Sequence, residues 1–316
     1  MKIKVAPPSR RNSIVLDRGL TDLLKMLAAI FVAMGHYSSH ALDYVDNLLL
    51  QFFLMNGGTV GVAVFFFLSG YGLMMSEHKK HLGFLGFLKR RLMNVYLPVI
   101  IVSAVWGIVR WPAGAGMEHL PQYMMTTFVT FGDGILWFVR VIAVMYLLFY
   151  GYTLVRKHNG LRLPILFVGT AFAYVLVYWW QENWCAISIP IFTLGIVIVE
   201  YNEKICRMMH SRGVVIWLMF ITALMGLLYL AFGNLYAHAL INYWTITAVV
   251  MMCAYWTITI SLPTWVGGIS YDIYLTHNKV INFLRPVYGF IPFHHFIVGT
   301  VITAVASYAI RKTIIK

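Results

Sequence analysis

The sequence predicts an all-α, polytopic integral membrane bundle of about ten transmembrane helices with both termini cytoplasmic. Three observations carry that reading. Of the 316 residues, 60% are hydrophobic and only 11% are charged, with a mean hydropathy of +0.77, whereas a soluble chain carries roughly a quarter charged residues. The apolar residues fall into runs close to the roughly 20 residues that cross a bilayer. Lys and Arg gather in alternate loops, as cytoplasmic loops require. The same composition excludes disorder, collagen, coiled coil and a disulfide-stapled secreted domain.

Taken in order, the apolar runs lie near 20–41, 55–75, 92–109, 135–155, 163–180, 187–201, 214–232, 241–261, 266–284 and 296–310. Pro263 breaks the run between the eighth and ninth. With the N-terminus inside, nineteen of the 24 basic side chains fall on the cytoplasmic side. Arg110 and Arg285 remain in outer loops, and Lys25, Arg140 and Lys279 fall within spans. Inverting the chain puts the nineteen on the wrong face. The organisation is therefore a cytoplasmic tail at 1–19, one membrane domain at 20–310 and a short cytoplasmic tail at 311–316.

The basic N-terminus has no apolar run before Leu20, so it does not read as a cleavable signal peptide. The longest outer loop, about Arg110 to Gly134, is too short for a folded domain. No internal repeat is visible, which disfavours inverted-repeat transporters. Cys185, Cys206 and Cys253 stand in no metal-ligand spacing, so neither a disulfide nor a metal site is expected. A formal charge of +13 reads as contact with anionic membrane lipids, not nucleic acid.

Ionisable groups within apolar spans mark function by default. On the first span Asp22, Lys25, His36 and His40 share one face. Lys25 and His36 are eleven residues apart, a rise of roughly 16 Å. On the ninth, Ser270, Tyr274 and His277 share a face while Asp272 and Lys279 lie on a neighbouring one. Asp22 and Asp272 are expected to balance Lys25 or Lys279, because a lone buried charge is costly.

Each residue also has a plainer role. His36 serves either chemistry or a hydrogen bond to a neighbour, and His277 leans to the structural role. Arg140 suits a snorkelling anchor. Trp111, Tyr123, Trp137, Trp179, Trp180 and Trp184 suit an interfacial belt. His78, His81, His158 and His210 sit in basic loops, and His294 with His295 makes only a weak metal signal. Lys79, Lys80, Lys89, Arg90 and Arg91 hold either the membrane surface or the phosphates of a cytoplasmic ligand.

Four segments together, DLLKMLAAIFVAMGH at 22–36, GVAVFFFLSGYGL at 61–73, FLKRRLMNVYLP at 87–98 and ISYDIYLTH at 269–277, resemble the acyltransferase-3 family of integral membrane acyltransferases. LWF at 136–138 also fits. Lys25 stands where the family usually has arginine eleven residues before an essential histidine, which keeps the charge and loses bidentate contacts. Asn94 stands where many members carry arginine. The hydrolase-like domain of longer relatives is not in the sequence.

The resemblance implies ten spans with both termini inside, in a multi-pass protein of the inner (cytoplasmic) membrane of a bacterium. It also implies O-acylation, most simply O-acetylation, of a cell-surface or lipid-linked glycan from acyl-CoA as co-substrate. His36 and Lys25 are then the catalytic candidates, and Lys89, Arg90 and Arg91 the CoA-binding ones. Ser69, Tyr71, Arg140, Tyr274 and His277 are expected to orient substrate or support the site. His36 acts either as general base or as an acyl relay. The alternative is a transporter or flippase of a lipid-linked glycan. The sequence sets no acceptor hydroxyl, acyl group or oligomeric state.

Overall fold

Asp17 starts the first helix. Its carboxylate accepts from Leu20 N at 2.7 Å and from Ile260 N at 3.2 Å, so a helix cap and a long-range tie fall on one residue. From there α1 spans Arg18–Ala41. Asn47 caps α2 (Leu48–Lys79) by accepting from Leu49 N and Leu50 N. At 1.5 Å per residue α2 is about 48 Å long, and its buried residues run from Gly57 to Met74, the stretch enclosed by other helices. Its buried Phe65, Phe66 and Phe67 stand in the main core.

The computed structural model describes residues 2–6, 13–110, 137–155, 161–180, 185–232 and 235–314. After α2 come α3 (Phe84–Arg91), a π turn (Leu92–Tyr96) and α4 (Leu97–Arg110). Leu97 N bonds to Leu92 O across the π turn. Pro98 follows; it has no N–H and its ring crowds the preceding turn, which a wider turn relieves. Then follow α5 (Trp137–Val155), α6 (Arg162–Trp180), α7 (Ile189–Glu200), α8 (Asn202–Met209) and α9 (Gly213–Phe232). The chain ends with α10 (Leu235–Tyr255), α11 (Trp265–Tyr288) and α12 (Phe293–Ile314).

Among the described residues, six helices are long and apolar enough to cross a membrane: α1, α2, α5, α6, α9 and α12. The chain is thus a multi-pass helical membrane protein. α7 is apolar but has only 12 residues, and α11 carries Asp272, Lys279 and Arg285. The expected loop beyond Arg110, with Trp111 and Tyr123, lies outside the described residues, as do Arg10, Arg11, Arg156, Lys157, His158, Trp184 and Lys316.

Two expectations about local structure need correction. The eighth run was expected to continue to residue 261, but α10 ends at Tyr255 and Thr257–Ser261 forms a strand, β2. β2 pairs antiparallel with β1 (Lys2–Ala6), Lys2 opposite Ser261 and Ala6 opposite Thr257. The β-branched TITIS run suits a strand, and Pro263 prevents helix from resuming before Trp265. At the far end α12 continues past 310 and carries Arg311 back into the bundle.

Ion pairs and hydrogen bonds gather the basic helix ends. Glu200, ending α7, accepts from Arg162 Nη1 of α6 at 3.0 Å and lies 3.2 Å from His78 Nε2 of α2. Asn202 of α8 accepts from Ile14 N and donates to Ile14 O, both at 2.8 Å. These ties place the ends of α2, α6, α7 and α8 beside the N-terminal segment, the basic end of the bundle.

Close helix crossings fix the rest. A methyl group added at Gly61 of α2 would overlap the Ala28 carbonyl oxygen of α1. One at Gly70 of α2 would overlap the Phe192 oxygen of α7, and one at Gly195 would overlap the Phe67 oxygen. Such small-residue contacts let membrane helices pack backbone to backbone. They make α2 the post against which α1 and α7 are set.

Candidate active site

α1 and α11 pack side by side, and the last third of α1 meets the middle of α11 where two histidines come together. The rings of His36 and His277 stand 5.1 Å apart between centroids, tilted by 46°. His277 is 0% exposed. Its Nδ1 lies 3.1 Å from Ile273 O, and since a carbonyl only accepts, Nδ1 carries the hydrogen in the neutral ring. Nε2 is then left with a lone pair, and it has no partner among the described residues. His36 itself keeps an exposed side, so one imidazole is accessible while its neighbour is sealed in the core. A ring used for proton or acyl transfer needs that accessibility.

Tyr274 is buried one helical turn before His277, with centroids 6.0 Å apart. Phe65 and Phe138 wedge it edge-on at 5.7 and 5.4 Å, and Tyr271 stacks on it at 6.2 Å. The Tyr271 hydroxyl donates to Val95 O at 3.1 Å, which anchors the π turn to α11. From there the basic helix α3 continues outward.

On α3 the three basic candidates separate. Lys89 and Arg90 are exposed, whereas Arg91 is half-buried and turns inward. Its guanidinium carbon lies 5.3 Å from the Tyr146 ring centroid and 5.5 Å from that of Phe87. The Tyr146 side chain stands beside both Arg91 and Ser69, and Arg91 Nε has no partner among the described residues. A guanidinium braced on one side and unsatisfied on the other suits a phosphate.

The Ser-Gly-Tyr motif of α2 resolves into three separate tasks. Ser69 reaches Tyr146, and Gly70 makes room for α7. Tyr71 turns away, its hydroxyl accepting from Leu16 N at 3.1 Å. Tyr71 thus ties α2 to the N-terminal segment. Arg140 is half-buried on α5, its Nε without a partner among the described residues.

The charges inside spans also sort themselves. Asp22 pairs with Lys25 at 3.3 Å and lies 3.8 Å from Arg18, as the sequence led us to expect for Lys25. Asp272 does not take Lys279: its Oδ2 accepts from Arg311 Nη2 at 2.6 Å, and Arg311 also donates to Gly268 O at 3.0 Å. Arg311 had been assigned to a tail, and a contact between α11 and α12 has no spacing signature in the sequence. Tyr146 and Tyr271 were likewise unforeseen, because a tyrosine in a span carries no pattern that separates it from the interfacial belt. Lys25 is held at Asp22, and helical side chains lean toward the N-terminus. A rise of roughly 16 Å separates it from His36.

The acyltransferase-3 family model, described as an acyltransferase domain, matches residues 21–312. The chain belongs to that family, and by class it is a membrane acyltransferase. No curated protein matches the chain, and neither does any solved structure.

Proposed function

We propose that the protein is a membrane-embedded O-acyltransferase that moves an acyl group from cytoplasmic acyl-CoA to a hydroxyl of a cell-surface or lipid-linked glycan. The observation that carries this reading is the accessible His36 ring resting on the sealed His277 ring, in a chain of the acyltransferase-3 family. In this reading the bundle has ten spans, both termini face the cytoplasm and the protein lies in the inner membrane. The basic end gathered around α3 is then the donor side.

Arg91, with Arg90 and Lys89 beside it, receives the CoA phosphates, and Lys25 with its Asp22 partner lies along the donor's route. The pantetheine arm follows the tyrosines Tyr146, Tyr271 and Tyr274 toward the histidines. There His36 takes the proton of the acceptor hydroxyl as the oxygen attacks the thioester carbon. A C–O bond forms, the C–S bond breaks, and the proton returns from the imidazolium to the departing thiolate. His277 holds the ring of His36 in place by packing against it, ring on ring. In the covalent variant the His36 nitrogen accepts the acyl group first and the hydroxyl attacks second. Ser69 and Arg140 complete the surroundings as positioning residues.

Binding of acetyl-CoA to the purified protein by equilibrium dialysis tests the donor side. Wild type is expected to bind saturably, and Arg90→Ala/Arg91→Ala to bind at least about tenfold more weakly, the loss of a charged hydrogen bond. Tyr146→Phe, which removes the hydroxyl beside Arg91 and keeps the ring, is expected to raise KM for acetyl-CoA about fivefold, roughly 1 kcal/mol acting through Arg91, with kcat unchanged. Absence of saturable binding to wild type would favour a glycan transporter or flippase.

A further inference from the structure

Away from the histidines, a cavity of about 440 Å³ lies between α6, α7, α9 and α10. That is the size of a ligand site, which spans roughly 300–1,000 Å³. Its deep wall includes Ile198 and Val250, both 1% exposed, and its rim includes Phe167 and Phe220, both 55% exposed. The opening therefore faces sideways, along the surface that a membrane helix presents to lipid.

The threonine hydroxyls and the indole N–H around the cavity are already committed to one another or to backbone oxygens. Thr193 shares a 2.6 Å hydrogen bond with Thr170, whose hydroxyl donates to Leu166 O. Trp217 Nε1 donates to the Thr247 hydroxyl at 3.2 Å, and Thr247 donates to Tyr243 O at 2.8 Å. What remains on offer is apolar surface, which suits a hydrocarbon chain and not a sugar or a pantetheine amide.

The floor is formed by Ile205 and Met208 of the short amphipathic helix α8. On the same helix Lys204, one turn before Met208, and Arg207 are exposed, and exposed Arg212 follows before α9 begins. Glu203 is the one acidic side chain on that helix. Apolar space and net positive charge thus meet at one edge of the bundle, the arrangement of a lipid's chain and headgroup.

We propose that this cleft binds an anionic membrane phospholipid, one acyl chain filling the cavity and the phosphate lying against Lys204, Arg207 and Arg212. α7 also packs on α2 beside Ser69, through Gly70 and Gly195, so the lipid supports the helix on which the donor route leans. The site does not depend on the acyl-transfer reading.

The test reconstitutes the full chain in equimolar phosphatidylglycerol and phosphatidylcholine of matched chains, extracts it in mild detergent and quantifies retained lipid by mass spectrometry. Wild type is expected to retain phosphatidylglycerol about tenfold over phosphatidylcholine, given three surface cations. Lys204→Gln/Arg207→Gln/Arg212→Gln is expected to lose that preference while keeping total lipid. Leu224→Trp, at the exposed part of the cavity wall, is expected to lower retention of both lipids. Equal retention of the two lipids by wild type, an undiminished preference in the triple variant, or unchanged retention in Leu224→Trp would each overturn the proposal.

Discussion

Replacing His36 by alanine is expected to reduce glycan acylation by roughly 10³-fold, within the range that a general acid–base group contributes. The protein should still insert and fold. His36 retains an exposed side and its ring contact is with His277, so its removal opens no deep cavity in the packed core. The measurement is ester content of surface glycan by mass spectrometry, set against protein level in the membrane. His277→Ala differs in kind. That ring is 0% exposed, so its loss leaves a void as well as an unsupported His36, and both activity and thermal stability should fall. Acylation that survives His36→Ala would remove the imidazole from the reaction.

The second large effect concerns Asp272 and Arg311. The Asp272 side chain is 0% exposed and its Oδ2 is held by Arg311 at 2.6 Å, while the guanidinium also lies 5.2 Å from the Tyr308 ring centroid. Arg311→Ala strands a buried carboxylate, and breaking such a pair costs about 3–5 kcal/mol. The expected result is a large drop in the folded fraction, read as monodispersity and unfolding temperature in detergent. Asp272→Asn combined with Arg311→Met removes both charges, and much of the loss should return, since it comes from the unpaired charge and not from absence of the bond. Because α11 carries both Asp272 and His277, Arg311→Ala should also lower activity. An unchanged unfolding temperature in Arg311→Ala would show that the pair holds nothing together.

Much of the architecture was legible because membrane helices write their length and polarity into local sequence. The alternation of basic loops anticipated that His78, Arg162 and the end of α7 would meet at one end, and Glu200 shows them meeting. His36 and His277 were singled out as intramembrane polar groups on separate helices, but nothing in either segment says that the two rings touch. That contact depends on how α1 and α11 cross, and crossing geometry follows from packing. Tyr146 escaped notice for the same reason: its role comes from Arg91 and Ser69, which belong to two other helices. Arg311 was misread because charge near a terminus looks like a tail until a buried carboxylate claims it. The strand pair between Lys2–Ala6 and Thr257–Ser261 joins segments far apart in the chain, and an all-helical reading has no place for it. The pairing of Lys25 with Asp22 was legible from their spacing on one helix.

The most direct measurement uses the purified protein in liposomes, with labelled acetyl-CoA supplied on the basic side only and deacylated surface glycan on the other. The account predicts labelled ester on the glycan with wild type, and none above background with His36→Ala inserted to the same level. Equal label transfer by the two proteins would contradict it.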